Sequence, residues 1–335
     1  MVAYAEVLLA GDIGATKTVL ALYGAWPGKP LRQQVFRNAD YGDFWSLLTD
    51  FLQEGGRLKP LTACLGVAGP VMANHVHMTN LNWSIDGGEM CRRFGLRQVH
   101  LINDLLATAV GALQLPETEL KVLNQGRAQE RAVQAVLAPG SGLGEGFLVP
   151  LGESFVPCAS EGGHASFAPR NEVQSELLAY MRARQEHVSV EQVCSGLAIP
   201  DLFAFMATRF PVPPWLSGQL QQAVDPTPVI LGAAMQPTHE GGPCEVACQT
   251  LQLFLDILAD EAANLVLKTL AFGGLFLGGG LSARLQSWIA PEHFMAIFCR
   301  GTYGERLSEV PVRIILNPET ALLGAAAYGA GAVVR

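Results

Sequence analysis

The sequence is poor in features that would assign it to several common protein classes. Its 335 residues include 22 lysines and arginines against 30 aspartates and glutamates, with no run of five or more like charges. This balance argues against nucleic acid as a partner. No apolar stretch reaches membrane length without charge, proline or a glycine cluster, and the amino terminus has no basic leader. We therefore expect neither a membrane span nor a signal peptide.

Cysteine is also sparse. The seven cysteines are odd in number and scattered along the chain, which predicts reduced thiols and a cytoplasmic protein. Cys244 and Cys248 are the one close pair, and neither a second pair nor a histidine completes a zinc site. We interpret both as residues on the face of a helix.

The sequence does contain an alternation of strand and helix patterns. Half of the residues are hydrophobic, and the length suits two domains. A strand, a glycine-rich turn and a strand occur at 8–24 and again at 132–152, which suggests a duplicated α/β unit with a cleft between the copies. We predict two mixed α/β domains, a small one of residues 1–114 plus 318–335 and a large one of residues 115–317.

Periodicity and capping residues predict individual elements. The longest helix is expected over 244–270, which has no internal glycine or proline. Four further predictions are a strand at 71–78 paired with one at 61–69, a helix over 84–94, a helix capped by Ser189, and a closing helix with Asn317 as its cap.

Asn103 and Asp104 lie where a buried strand meets an apolar helix. Such a junction is at the carboxyl edge of a sheet, where open α/β folds bind ligands. Both residue types are also favoured helix caps, so capping and catalysis remain alternative interpretations.

The first glycine-rich turn, GDIGATKT, resembles a phosphate-binding P-loop but has Thr16 where that motif needs glycine. A turn within a β-hairpin can still wrap a phosphate, because Gly11 and Gly14 let the backbone approach and Lys17 adds a donor. Asp12 would repel the phosphate unless a divalent cation lay between them. An ordinary hairpin turn is the alternative.

Two more glycine turns support a nucleotide site. The turn at 139–146 offers the hydroxyl of Ser141, and together with the first turn it suggests phosphates held from two sides. The third, at 278–280, lies at a strand-to-helix junction with room for an adenosine. Close packing of helix on strand is its alternative explanation.

A polar set suits the hydroxyl groups of a sugar, which need both donors and acceptors. Glu161 and His164 flank two glycines, and Asn103, Asp104 and Glu191 complete the set. A metal site is the competing interpretation, although no cysteine or second histidine is near His164 in sequence.

In this order, the motifs resemble those of bacterial-type glucokinases, members of the hexokinase and actin-like ATPase superfamily, over nearly the whole chain. The strings that carry the resemblance are GDIGATKT, GVAGPV with MTNLNW, LINDLLA, APGSGLG, SEGGHASFAP, HVSVEQVCSG, LFLGGGLSAR and NPETALLGAAAYGA. The chain departs from the pattern at Ala15, where many relatives have a second glycine. It also lacks the cysteine-rich zinc motif of the related repressor and kinase families.

The resemblance implies a two-domain actin-like ATPase (ribonuclease H-like) fold with mixed sheets and an interdomain cleft. It further implies phosphoryl transfer from ATP to glucose with Mg²⁺, in a cytoplasmic homodimer that acts in glycolysis. Asp104 would be the catalytic base, and Asp12 would hold Mg²⁺ through water. The sugar would be bound by Asn80, Asn103, Asp104, Glu161, His164 and Glu191. The nucleotide would be bound by Gly11, Asp12, Ile13, Gly14, Ala15, Thr16, Lys17, Ser141, Gly142, Gly278 and Gly279.

Three other functions are compatible with the same motifs. The first is a kinase for another hexose or an N-acetylhexosamine, and the second is a sugar-sensing protein without catalysis. The third is an actin-like filament or chaperone ATPase, which would hydrolyse ATP without sugar.

Overall fold

The computed structural model describes residues 6–56, 58–78, 80–235 and 243–332. The chain forms two compact units, one of Met1–Lys121, Gly146–Ala159 and Ile315–Arg335, the other of Val122–Glu145 and Ser160–Ile314. The strands are β1 Leu8–Ile13, β2 Lys17–Tyr23, β3 Arg32–Arg37, β4 Thr62–Val67, β5 His75–Met78, β6 Trp83–Asp86, β7 Gln98–Asn103, β8 Leu120–Asn124, β9 Gln134–Pro139, β10 Leu143–Leu151, β11 Ser154–Ser160, β12 Gly274–Leu277 and β13 Val312–Ile315. The helices are α1 Phe44–Glu54, α2 Gly87–Phe94, α3 Asp104–Ala112, α4 Glu172–Arg182, α5 Ile199–Met206, α6 Pro214–Gln222, α7 Thr227–Met235, α8 Glu245–Thr269, α9 Gly279–Arg284, α10 Pro291–Phe298, α11 Gly304–Ser308 and α12 Thr320–Gly329.

The first unit is built on a mixed five-stranded sheet in the order β3-β2-β1-β4-β7. β1 and β2 form the predicted antiparallel hairpin, whereas β1, β4 and β7 run parallel. Asp12 is opposite Gly66, and Val67 is opposite Asn103. The carboxyl ends of the three parallel strands therefore present their residues at one edge of the sheet.

Alternation along β1 gives the sheet two buried faces. Leu9 and Ile13 pack in one apolar cluster with α1, whereas Leu8 and Ala10 pack in a second cluster with α12. Successive side chains of a strand point to opposite faces, so a continuous apolar run is the pattern expected for a strand covered on both sides.

Helices α3 and α12 touch through two glycines. A β-carbon at Gly111 would overlap the carbonyl oxygen of Thr320, and one at Gly324 would overlap the carbonyl oxygen of Ala107. Only glycine permits so close an approach of two backbones. This contact fixes α3, the helix that begins at Asp104.

The six-stranded sheet has the order β11-β10-β9-β12-β13-β8. In the second unit, β9, β12 and β13 are parallel, with Leu277 opposite Leu137 and Leu275 opposite Val312. Helix α8, predicted at 244–270, is buried on most of its surface and packs against α5, α7 and α10. Within the described ranges, no helix is both long and apolar enough to cross a bilayer.

Two predictions about strand pairing and helix start are wrong in the first unit. The predicted strand at 71–78 does not pair with 61–69, because β5 pairs with β6 in a separate two-stranded sheet. The helix expected over 84–94 begins at Gly87, since Ser84 and Ile85 belong to β6 and the side chain of Asp86 accepts from the Glu89 amide at 2.6 Å.

Two predicted caps also differ. The segment after Ser189 is a series of turns, and the next helix begins at Ile199. The Ser189 amide donates to the Gln192 side chain at 2.8 Å, a local bond that replaces a helical start. Asn317 accepts from the Glu319 amide at 2.7 Å, which forms a turn before α12 rather than its cap.

Candidate active site

Asp104 is the first residue of α3 and lies directly after β7. Asn103 is the helix cap, because its Oδ1 accepts from the Leu105 amide at 2.9 Å. Its Nδ2 donates to the carbonyl of Gly69 at 3.1 Å. Asp104 Oδ1 also accepts from the Leu105 amide at 2.9 Å. Capping is therefore provided by Asn103, and one carboxylate oxygen of Asp104 has no part in that bond.

Asp12 and Asp104 interact in the first unit. A β-carbon on Gly66, opposite Asp12, would lie 2.8 Å from Ala107 Cβ and 3.8 Å from Asp104 Cα. The absence of a side chain at Gly66 lets the start of α3 come down against the sheet edge. Two half-buried carboxylates thus share this edge.

This arrangement shifts the ionisation of both carboxyl groups. Burial raises the pKa of Asp104 to about 6, and the negative charge of Asp12 adds to the rise, opposed by the backbone amides of Leu105 and Asp104. Burial also raises the pKa of Asp12, opposed by the charge of Lys17. A carboxylate with a raised pKa at a sheet edge suits general-base chemistry or the binding of a cation.

The first glycine turn is tight. Gly14 donates from its amide to the Lys17 carbonyl at 3.0 Å, and Ala15, Thr16 and Lys17 are exposed. Gly11 is instead buried, and a β-carbon there would lie 2.6 Å from Leu65 Cδ2. Packing against that side chain is therefore sufficient reason for glycine at this position.

Asn38 holds this turn and was not predicted from the sequence. Its Nδ2 donates to the Gly14 carbonyl at 2.8 Å, its Oδ1 accepts from Thr18 Oγ1 at 2.8 Å, and its amide donates to the Thr16 carbonyl at 3.0 Å. The residue follows β3, which pairs with β2. The pairing of β3 with β2 could have indicated the role of Asn38, because it places the end of β3 beside the start of β2.

In the second unit, the other two glycine turns are neighbours. They follow β9 and β12, which are adjacent and parallel. Gly279 has a φ of +74°, and a β-carbon on it would overlap the carbonyl oxygen of Pro139. Gly140 donates to the Gly142 carbonyl at 2.8 Å, and Ser141 is exposed. The two turns together form one backbone-lined surface at this edge of the sheet.

Glu161, His164 and Glu191 also come together in the second unit. His164 Nε2 is 3.8 Å from Glu161 Oε2, and its Nδ1 is 3.9 Å from Glu191 Oε1. Glu161 and His164 are largely exposed, with side-chain accessibilities of 80% and 63%, so both have free hydrogen-bonding capacity. Among the residues that the structure describes, no three His, Cys, Asp or Glu side chains are grouped as metal ligands.

Glu191 connects this set to the second glycine turn. Its Oε2 accepts from the Leu143 amide at 2.8 Å, and its amide donates to the Gly163 carbonyl at 2.8 Å. A β-carbon on Gly142 would overlap Oε2. One carboxylate oxygen is therefore anchored on the turn, while the other faces His164.

Asn80 lies in the exposed turn between β5 and β6 of the first unit. It is therefore on a different element from Asn103 and Asp104. Glu145 is a further residue that the sequence did not single out. It is buried in the second unit and touches Gly162, between Glu161 and His164.

The chain as a whole is similar to known proteins of one family. The model of the family described as Glucokinase matches residues 9–332. A glucokinase of Nostoc punctiforme is 36% identical over 338 residues, which cover 96% of this chain and 98% of the relative.

Solved structures of glucokinases are also similar to this chain. The crystal structure of a glucokinase from an Antarctic psychrotroph is 32% identical, with a TM-score of 0.82 and coverage of 97% of this chain and 98% of that chain. A ROK family glucokinase of Streptomyces griseus, solved with glucose and AMPPNP, is 20% identical with a TM-score of 0.63, over 96% and 99% of the two chains, and shares the fold. The predicted mixed α/β fold of the actin-like ATPase superfamily is confirmed. The chain belongs to the glucokinase family.

Proposed function

We propose that this protein transfers the γ-phosphoryl group of ATP to the 6-hydroxyl of glucose, giving glucose 6-phosphate and ADP, with Asp104 as the general base. Family membership supports the reaction class. The observation that carries the role of Asp104 is its position after β7, with a pKa raised to about 6 and one oxygen that takes no part in the bond to the Leu105 amide.

Asp104 orients the 6-hydroxyl and accepts its proton. The transition state of phosphoryl transfer is loose, so the proton leaves late, as the bond to phosphorus forms. A base with a pKa of about 6 is ionised at neutral pH and is closer to the working pH than an ordinary aspartate. Raising the pKa by burial therefore improves proton acceptance without neutralising the base.

The glycine turns would hold the nucleotide. We assign the phosphates to the exposed turn after β1 and to the adjacent turns after β9 and β12, whose backbone amides are suited to phosphate oxygens. The residues are Gly11, Asp12, Ile13, Gly14, Ala15, Thr16, Lys17, Ser141, Gly142, Gly278 and Gly279. In the first turn, the residues accessible to phosphate are Ala15, Thr16 and Lys17, which are exposed.

Asp12 is the residue that would hold Mg²⁺, through water. Its half-buried carboxylate carries a desolvation cost that Lys17 only partly offsets, and oxygen ligands of this kind suit a hard dication. When bound, Mg²⁺ would neutralise phosphate charge that Asp12 would otherwise repel.

The sugar would be bound by Asn80, Asn103, Asp104, Glu161, His164 and Glu191. Glu161 and Glu191 supply acceptors, and His164 between them supplies a donor or an acceptor. The amide of Asn103 is already engaged with Gly69 and Leu105, so its sugar contact would use the remaining acceptor and donor capacity.

We also propose a cytoplasmic homodimer that acts in glycolysis, with a small domain of 1–114 plus 318–335 and a large domain of 115–317. The resemblance to bacterial-type glucokinases supports the dimer. No disulfide joins the seven cysteines, all of which lie in the described ranges, and this is consistent with a reducing compartment.

A panel of sugars tests the proposal. ADP release is measured with the purified chain, Mg²⁺ and ATP against glucose, mannose, fructose, N-acetylglucosamine, N-acetylmannosamine and no sugar. We expect glucose to give the highest kcat/KM and the sugar-free reaction to be slow. A preference for an N-acetylhexosamine would replace the substrate. Rapid ATP hydrolysis without sugar would favour a filament or chaperone ATPase, and sugar binding without ADP release would favour a sugar sensor.

A further inference from the structure

A pair of buried glutamates lies in the second unit. Glu145 on β10 is 2% exposed, and Glu261 on α8 is 4% exposed. Burial of two neighbouring carboxyl groups is costly unless both are hydrogen-bonded. Apolar side chains at these two positions would stabilise the core at a lower desolvation cost.

The two carboxyl groups are partnered unequally. Glu261 accepts from Lys268 Nζ at 3.1 Å and from Asn264 Nδ2 at 2.9 Å, both on α8. Glu145 Oε1, in contrast, has no hydrogen-bond partner within the described part of the chain. Glu145 also forms a side-chain hydrogen bond with Glu261, which favours the protonated group, so its Oε1 is the one carboxylate oxygen of the pair without a partner in the described structure.

The other oxygen of Glu145 lies against the turn that carries two proposed sugar ligands. A β-carbon on Gly162 would overlap Oε2 and would be 2.7 Å from Glu145 Cδ. Gly162 is part of the short 3₁₀ turn Gly162–His164, and Glu161 immediately precedes it. The carboxyl group therefore forms part of the floor on which this turn rests.

The same strand also anchors Glu191. Leu143, two residues before Glu145 on β10, donates from its amide to Glu191 Oε2 at 2.8 Å. β10 thus contacts the turn of Glu161 and His164 through Glu145, and Glu191 through Leu143. One strand therefore contacts both parts of the proposed sugar-binding set.

We propose that Glu145 is a positioning residue, whose buried carboxyl group supports the turn at 161–164 and so sets the affinity for the sugar. The inference rests on the proposed function of that turn. Glu145 touches neither ATP nor the reacting hydroxyl in this assignment, so its effect is on sugar binding rather than on the phosphoryl-transfer step.

Protonation of Glu145 would couple this support to pH. Burial and the neighbouring Glu261 raise the pKa of Glu145 to about 7, and Lys268 opposes the rise. The other titratable groups around it are Cys194, whose pKa is also raised by burial and by both glutamates, and Glu161 and His164 in the turn above. Below pH 7 the protonated group can donate to Glu261. Above pH 7 two buried negative charges repel each other, which would disturb the floor of the turn.

Steady-state kinetics of Glu145→Gln and Glu145→Leu test the inference, measured with the hexose that the parent phosphorylates best. In the parent, the repulsion above pH 7 should make the sugar KM rise between pH 6.5 and 8.5. Gln retains the shape and a donor but does not ionise, so we expect Glu145→Gln to have a sugar KM within about twofold of the parent at pH 6.5 and to show no such rise. Leu removes the polar support, so we expect the sugar KM to rise about fivefold or more while the ATP KM changes by less than about twofold.

Asp260→Asn is the matched control. Asp260 is a buried carboxylate on the same helix as Glu261, but its partners are Gln174, Arg170 and Arg300. Its replacement is expected to lower the thermal midpoint without changing the sugar KM. An unchanged sugar KM in Glu145→Leu, or an equal rise in Asp260→Asn, would overturn the inference.

A reciprocal variant covers the case in which Glu145→Leu does not fold. Gly162→Ala should raise the sugar KM because its methyl group meets the Glu145 carboxylate, and Glu145→Ala in the same chain should relieve part of that rise. Additive effects would contradict the contact. A parent without hexose kinase activity would overturn the proposed function together with this inference, whereas an active parent with indifferent Glu145 variants would overturn the inference alone.

Discussion

Asp12 raises the pKa of Asp104. Asp12 is in β1 and Asp104 is the first residue of α3, both in the first unit, and both side chains are half-buried. Gly66 makes this possible, because a side chain there would collide with α3. The fold thus maintains two acidic groups at one sheet edge although each makes ionisation of the other less favourable.

Neutralising Asp12 should therefore lower the pKa of Asp104 in the protein free of Mg²⁺ and nucleotide. Asp12→Asn removes a negative charge, which makes ionisation of Asp104 easier, so the titration midpoint of Asp104 should lie below the parental value of about 6. Mg²⁺ is left out, because a dication held at Asp12 would compensate the charge of that group. The measurement is carbon-13 NMR titration of the Asp104 carboxyl group from pH 4.5 to 8. A midpoint that stays in place or rises in Asp12→Asn would show that the two groups are not coupled.

Removing the charge of Asp104 should stabilise the protein at neutral pH. The pKa of Asp104 is raised in the folded state, so between about pH 4 and 6 the folded protein keeps a proton that the unfolded chain has already lost. The free energy of unfolding therefore decreases as the pH rises from about 4 to 6. After allowance for partial exposure, Asp104→Asn should gain of the order of 1 to 2 kcal/mol at pH 8 and nothing below pH 4. Urea unfolding at both pH values measures this. The exposed Asp40→Asn is the control, and a pH-independent gain would refute the assigned cause.

Glu161→Gln should weaken sugar binding. A charged acceptor of a sugar hydroxyl is worth about 1.5 to 3 kcal/mol, so the glucose KM should rise by about tenfold or more, with kcat at saturating glucose nearly unchanged. The exposed Glu186→Gln in the same unit is the comparison variant and should behave like the parent. A glucose KM for Glu161→Gln equal to that of the parent would remove this residue from the sugar site.

The close contact between α3 and α12 should tolerate no side chain. Gly111→Ala places a methyl group on the Thr320 carbonyl, which should destabilise the protein by about 1 to 3 kcal/mol through overpacking and lower kcat by moving α3. Gly218, within α6, has open space around it, so Gly218→Ala should stabilise by up to about 1 kcal/mol. Denaturant midpoints of both variants test this. Similar effects at the two positions would argue against the backbone contact.

Local patterns predicted the elements that present the site. Continuous apolar runs around glycine turns gave the hairpin of β1 and β2 and the junction at Asp104, because a buried strand and a turn are specified by adjacent residues. The 25-residue helix α8 followed from an uninterrupted helical sequence. Such features depend on neighbours in the chain, which a sequence displays directly.

Features that depend on distant contacts were not predictable in the same way. The strand at 71–78 was expected to pair with 61–69 because they are consecutive, yet β5 finds its partner in β6. Asn38 holds the Gly14 turn through side-chain bonds across 24 residues, and Glu145 meets Glu261 from 116 positions away. Isolated in sequence, these polar residues resemble ordinary surface side chains, and only the packed chain reveals their burial.

The central claim, that Asp104 is the base of a glucose kinase, is tested most directly by phosphorus NMR of the product formed by the parent and by Asp104→Asn. The parent should convert ATP and glucose to equal amounts of ADP and glucose 6-phosphate. Asp104→Asn should form that product at least about a hundredfold more slowly, while binding glucose with nearly the affinity of the parent. Product formation at the parental rate by Asp104→Asn, or ADP without a sugar phosphate from the parent, would contradict the account.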